Sequence, residues 1–174
     1  MKILAGKYKG QAIHTVKRAT YRPTQSRIRK SLFDSLGNIQ GKTFLDTYAG
    51  SGIIGFEAVS RDVGNLTLIE ENKKTVQLLK RNAELFSSED IRIIRGDVMK
   101  LLPEKDSYDI IFSDPPYLYL KDEHYSEHLI NNCVDSLSDK GIYILEIAKK
   151  FAQFPADRRK DFGDTTLLFW RKPS

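Results

Sequence analysis

The chain has 174 residues, 40% hydrophobic and 29% charged, with a formal net charge of +5. That composition fits one folded domain and excludes a disordered or fibrous chain. No apolar run approaches the roughly 18 residues of a membrane helix, the opening MKILAGKYKG has no apolar core of a secretory signal, and a single cysteine, Cys133, excludes a disulfide framework. The expectation is a cytoplasmic monomer with no membrane and no metal.

The charge is uneven along the chain. Residues 1–42 carry ten Lys and Arg against one acid, a net +9, and the remaining 132 residues carry −4. A basic arm suits a polyanion, because phosphate contacts release condensed counterions, although such a run alone serves equally well as a solvated face. Lys2–Ala5 and Gln11–Val16 alternate around a turn-rich stretch and predict an N-terminal β-hairpin. Thr24 is positioned as an N-cap after Pro23, Ile28, Leu32, Phe33 and Leu36 follow at helical spacing, and Gly37 supplies a stop. Strands are predicted at Thr43–Thr47, Leu66–Glu70, Ile91–Ile94, Tyr108–Ser113 and Gly141–Ile147. Helices fall between them at Ile53–Ser60, Lys73–Phe86 and His128–Leu137. This alternation predicts a mostly parallel sheet covered on both faces. Lys160–Phe162 and Thr165–Trp170, split by Gly163 and Asp164, close it with an antiparallel hairpin. The organisation expected is a basic extension over residues 1–20 ahead of an α/β domain over 21–174. Cys133 falls beside apolar residues of a helix and reads as core.

Thr43 to Gly52 reads as a strand running into a glycine-rich turn and a helix, where backbone N–H groups face a ligand. Gly50, Gly52 and Gly55 satisfy G-x-G-x-x-G, with Glu70 at the next strand end, a pattern shared with dinucleotide sites. Asp46 separates the readings. A carboxylate there repels a pyrophosphate but suits the ammonium and sulfonium of S-adenosyl-L-methionine. Asp97, before Val98, ends the third strand and is placed to accept from an adenine amino group. Asp46, Glu70 and Asp97 thus fall at three strand ends on the carboxyl edge, where open α/β sheets bind ligands.

Asp114-Pro115-Pro116-Tyr117 follows the buried strand Tyr108–Ser113. The prolines hold the preceding residues extended and lack N–H groups, leaving carbonyls free to accept. Acceptors around an exocyclic amine, here the Asp114 carboxylate and the Pro115 carbonyl, favour a more nucleophilic nitrogen. Tyr117 offers a face for stacking a base. Taken alone, the same residues also fit a Pro-Pro turn capped by an Asp.

Asp46–Gly52, Glu70, Asp97 and DPPY, in this order, resemble class I methyltransferases that modify amino groups. Arg22-Pro23-Thr24-Gln25-Ser26-Arg27 leading into Ile28-Arg29-Lys30-Ser31-Leu32-Phe33 resembles the RPT-x-x-R-x-R-x-x-LF signature of the RsmD-type bacterial 16S rRNA guanine-N2 methyltransferases. The opening Ile3 to Gly10 is similar to that family's basic hairpin. The resemblance implies a seven-stranded Rossmann-like sheet with an N-terminal hairpin, and methylation of guanine N2 at position 966 of 16S rRNA within a 30S assembly intermediate. It further implies that Arg22, Pro23, Thr24 and Arg27 lie near the methionine end of S-adenosyl-L-methionine. Asp46, Tyr48, Gly50, Ser51 and Gly52 would form the cofactor loop, with Glu70 on the ribose and Asp97 and Val98 on the adenine. Asp114, Pro115, Pro116 and Tyr117 would hold the guanine, and Lys2, Lys7, Lys9, Arg18, Arg22 and Arg29 the RNA. Tyr48 departs from the Phe that relatives often carry there.

DPPY also occurs in DNA adenine-N6 methyltransferases, and a related NPPY in protein glutamine-N5 methyltransferases. The short spacing around DPPY leaves little room for a DNA-reading domain, and a protein substrate gives the basic arm no evident use. His124-Tyr125-Ser126-Glu127-His128 matches the H-x-x-E-H of inverted zinc peptidases, with Glu146 as the obvious third ligand. A non-catalytic RNA-binding protein on the same fold is the remaining rival. Leu118–Tyr125 fits a mobile lid or a solvated loop equally.

Overall fold

The computed structural model describes residues 1–15, 23–101 and 106–172, and of residues 23–25 the backbone alone. Five strands run parallel: β1 (Thr43–Asp46), β2 (Asn65–Glu70), β3 (Ile91–Arg95), β4 (Tyr108–Ser113) and β5 (Leu137–Ala148). β7 (Thr165–Arg171) lies antiparallel to both β5 and β6 (Arg158–Phe162). The order across the sheet is β3-β2-β1-β4-β5-β7-β6. β1 to β3 are added outward on one side and β4 and β5 on the other, so the direction of strand addition reverses between the parallel neighbours β1 and β4, which opens a crevice at their carboxyl ends. The fold matches the expected mostly parallel sheet with its antiparallel closing hairpin, and Gly163 turns that hairpin at φ +61°.

Alternation along each strand sorts side chains to two faces. Phe44, Ile110, Phe112, Ile144 and Phe169 join one core, under α1 (Pro23–Leu36), α2 (Ile53–Val59) and α3 (Lys73–Ala83). Leu45, Ile111, Tyr143, Leu145 and Leu168 join the other, under α4 (Val98–Leu101) and α5 (Glu123–Asp135). Cys133 is buried in that second core, as its setting in the sequence suggested.

Four expectations need correction. α1 begins at Pro23, so Thr24 lies within its first turn rather than capping it. Proline suits that position because its missing N–H belongs to a group that has no intrahelical partner anyway. α3 gives way to a 3₁₀ turn at Glu84–Phe86, which lays Phe86 flat on Phe56 at a centroid distance of 4.7 Å. α5 starts at Glu123, five residues before His128, because Asp122 accepts the N–H of Tyr125 as an N-cap. Leu137, expected in that helix, opens β5 instead.

The N-terminal hairpin is reduced to one antiparallel bridge, Lys2 with Ala12, flanked by hydrogen bonds from Ile3 to Gln11 and from Ile13 to Met1. Val16, its expected last residue, lies outside the described residues. Ile3 and Ile13 plug into the first core, and Gly6 at φ +84° sits where a Cβ would overlap the Ser60 carbonyl. The chain bends to follow the end of α2, and that cuts the ladder short. Glu57 of α2 fastens it there. Its fully buried carboxylate accepts the N–H groups of Leu4 (2.8 Å) and Ala5 (3.0 Å) and pairs with Arg61 (3.0 Å) and Arg29 (3.5 Å).

Candidate active site

The crevice at the β1/β4 switch point holds two adjoining cavities. The larger, of about 710 Å³, is lined by Glu70, Asp97, Val98, Pro116, Tyr119, Tyr125 and His128. The smaller, of about 300 Å³, is lined by Asp46, Gly50, Ser51, Ile28, Arg29 and Glu146. Tyr48 and Asp114 line both.

The loop between β1 and α2 is held from several sides. Gly50 and Gly52 adopt φ +54° and +82°, conformations that side chains resist. At Gly52 a Cβ would also meet Phe56 and Leu79 at under 3 Å. Glu70 accepts the Gly50 N–H (3.0 Å) with one oxygen and the Asn72 N–H (2.8 Å) with the other. A carboxylate has about four acceptor sites, so both oxygens keep capacity toward the cavity. Asn82, fully buried on α3, donates to the Ser51 and His14 carbonyls, each at 2.9 Å, and accepts the His14 N–H. Asp97 caps α4 through the Met99 N–H (3.0 Å). The Tyr48 hydroxyl meets that of Tyr125 at 2.5 Å, and burial holds the Tyr48 phenol protonated far above its ordinary range.

Register brings three acids together. Asp46 pairs with Phe112, which pairs with Ile144, and Ser113 pairs with Leu145. Asp114 and Glu146 therefore follow side by side, and both share Asp46's face of the sheet. Asp46 is buried with Oδ1 unpaired. Burial first, then the charge of Asp114, pushes its pKa up to about 8, while N–H groups of Gly55 and Tyr48 pull it back. Asp114 keeps an open edge on the crevice, yet desolvation pushes its pKa up to about 6. Burial and the charge of Asp114 raise Glu146 well above the usual carboxylate range. A desolvated carboxyl with one oxygen unpaired and two acidic neighbours keeps its proton until a cation takes the proton's place.

Asp46 and Asp114 stand out in the sequence as site residues, whereas Glu146 does so only as a metal ligand. Its signal was its alignment with Asp114, which needs the β4/β5 register. His124, Glu127 and His128 form no metal site with it. Glu146 faces the small cavity and His124 is wholly exposed, and no cluster of three His, Cys, Asp or Glu side chains among the described residues could hold a metal ion.

Other expected residues are less well placed. Arg29, assigned to RNA, is 3% exposed, donates to the Lys2 carbonyl at 2.7 Å and pairs with Glu57, so it is a core residue turned toward the small cavity. Lys7 pairs with Asp62 (2.9 Å) and Glu89 (3.0 Å), which answers its charge internally. Lys2 and Lys9 are exposed. Arg27 is exposed and lines neither cavity. Arg18, Arg22 and the side chains of Pro23 and Thr24 lie outside the described residues. Pro115 is buried, Tyr117 is 54% exposed, and neither lines either cavity, whereas Asp114 and Pro116 do.

The strand order, the glycine loop and the acids along the carboxyl edge define a class I methyltransferase fold, the class whose methyl donor is S-adenosyl-L-methionine. An RNA methyltransferase of Salinibacter ruber, solved with S-adenosyl-L-homocysteine, shares this fold at a TM-score of 0.68 and 16% identity, covering 88% of this chain and 95% of that one. A hypothetical protein of Thermus thermophilus aligns at a TM-score of 0.83 and 29% identity over 98% of both chains. Residues 1–171 match the family model described as "Conserved hypothetical protein 95", and the chain belongs to that family, the RsmD-type methyltransferases. The Ribosomal RNA small subunit methyltransferase D of Buchnera aphidicola is 40% identical over 118 residues, 66% of this chain and 62% of that relative.

Proposed function

We propose that the protein transfers a methyl group from S-adenosyl-L-methionine to the exocyclic N2 amine of a guanine in 16S rRNA, at position 966 of the small subunit. The observation that carries this reading is the position of Asp114, which borders both cavities at the switch point and follows the end of β4. The larger cavity suits the adenosine portion, with Glu70 for the ribose hydroxyls and Asp97 and Val98 for the adenine. The smaller suits the methionine portion, where the unpaired oxygen of Asp46 answers a cation. When bound, the cofactor supplies an electrophilic methyl on a sulfonium. Asp114 and the Pro115 carbonyl accept from the amine hydrogens and hold the nitrogen in its more nucleophilic form. With a pKa near 6, Asp114 is ionised at neutral pH and also stands ready to take the released proton. Tyr117 supplies a stacking face.

The RNA assignment rests on the basic N-terminal residues and on the name of the Buchnera relative. The substrate is 16S rRNA in a 30S assembly intermediate, and the protein acts as a cytoplasmic monomer. No helix among the described residues is long and apolar enough to cross a membrane. Replacing Asp114 by Ala is expected to abolish methyl transfer while S-adenosyl-L-homocysteine still binds. Normal turnover in that variant overturns the assignment.

A further inference from the structure

Among the described residues four large hydrophobic side chains are exposed, and three of them are consecutive: Tyr117, Leu118 and Tyr119. Leu118 is the most exposed, at 71%. Surface leucines scattered singly need no explanation, but an apolar tip beside a catalytic crevice does.

The tip is built to stay in place. The Tyr119 N–H donates to the Pro116 carbonyl at 2.9 Å, which closes a turn with Tyr117 and Leu118 at its corners. Immediately behind it Leu120 is buried in the second core. The Tyr119 ring packs on Tyr125 at 5.1 Å, and Tyr125 meets Tyr48 through their hydroxyls. Asp122 caps α5. The segment 118–125, which the sequence left open between a lid and a solvated loop, is an anchored projection beside Asp114.

Charge says what such a tip meets. Residues 117–123 carry Lys121 against Asp122 and Glu123, so the projection has no cation excess to attract phosphates. Its exposed surface is two aromatic rings and an aliphatic branch, chemistry suited to the faces of nucleobases. An amine inside a base stack is out of reach until the nucleotide is extruded, and apolar side chains are the usual wedges at such steps.

We infer that the target guanine is drawn from a stacked RNA segment, and that Leu118 enters the gap it leaves while Tyr117 takes the extruded base. This rests on the RNA-methyltransferase reading above and adds the state of the substrate to it.

The test compares wild type, Leu118→Ala and Leu118→Met on two RNAs. One is a hairpin with the target guanine stacked, and the other is a short unstructured oligonucleotide of the same local sequence. Single-turnover methyl transfer is measured on both. In parallel, hairpin carrying 2-aminopurine at the target position is titrated in S-adenosyl-L-homocysteine, so that fluorescence reports unstacking without turnover. Leu118→Ala is expected to slow transfer to the hairpin by about tenfold or more, since nothing then fills the gap that offsets the cost of unstacking. It should stay within about twofold of wild type on the oligonucleotide and lose the fluorescence rise, while Leu118→Met keeps all three. Equal rates for Leu118→Ala and wild type on the hairpin, or equal losses on both RNAs, overturn the wedge and leave the methyltransferase reading standing. A wild-type protein that methylates neither RNA overturns both. A tip that captures another protein and leaves the 2-aminopurine signal unchanged also overturns the wedge.

Discussion

Asp46 makes the binding of a cationic cofactor depend on pH in a direction the structure sets. Burial and the charges of Asp114 and Glu70 raise its pKa from 3.8 to about 8, so without ligand at pH 7 it is protonated by about ten to one. A cation beside it requires the ionised form. Binding then expels about 0.9 proton at pH 7, and affinity climbs with pH until the ligand-free carboxyl has titrated. From pH 6.5 to 7.5 the ionised fraction, and with it the association constant, rises about eightfold. The folding linkage has the opposite slope. Between 3.8 and 8 the unfolded chain has lost this proton and the folded chain keeps it, so ligand-free stability falls as pH rises through that window. Calorimetric titration of S-adenosyl-L-methionine in two buffers of different ionisation enthalpy measures both affinity and proton count. Asp46→Asn should bind with no such pH dependence. A flat affinity between pH 6.5 and 7.5 with no proton release in the wild type refutes the reasoning, as does an unchanged pH dependence in the variant.

Three further outcomes follow from the same structure. In Asp114→Asn, Glu146 loses the neighbour whose charge raises it, so its pKa falls while burial keeps it above the ordinary carboxylate range; a carboxyl-carbon NMR titration reads this, and an unmoved value contradicts the pairing. Glu57→Gln removes the buried charge that Arg29 and Arg61 both pair with and should cost about 3–5 kcal/mol in denaturant unfolding. Faster amide exchange at Leu4 and Ala5 should accompany it, and a loss below about 1 kcal/mol would show that the carboxylate is not the fastener described. Reversing Lys2 and Lys9 to Glu should flatten the salt dependence of RNA binding, whereas Lys7→Ala should change it less because Asp62 and Glu89 already engage that ammonium; equal effects would refute the distinction.

Strand and helix identities were legible because β-branched and apolar runs alternate with the amphipathic stretch Val76, Leu79, Ala83 and with glycine stops. The positions of Asp46, Glu70 and Asp97 on the carboxyl edge were legible for the same reason, since two of them end strands and Asp97 follows β3 by two residues. Glu146 was not. It falls inside a twelve-residue strand, and only the pairing of Ser113 with Leu145 shows that it neighbours Asp114. Arg29 was misread because a basic residue in a basic arm looks solvent-facing until Glu57, 28 positions away, is seen to bury it. The start of α5 was missed because Asp122 works as a cap only when α5 turns back over the second core. In each case the deciding partner is distant in the chain, where local pattern carries no information.

Methyl transfer to guanine N2 in small-subunit RNA, as proposed above, leaves a modified base that can be mapped. The direct measurement is incubation of the purified protein with labelled S-adenosyl-L-methionine and either naked 16S rRNA or 30S assembly particles, followed by nuclease digestion and mass mapping of the modified base. One N2-methylguanine at position 966, absent with Asp114→Ala, is the result expected. Label on an adenine, on ribosomal protein, or nowhere in either substrate would contradict it.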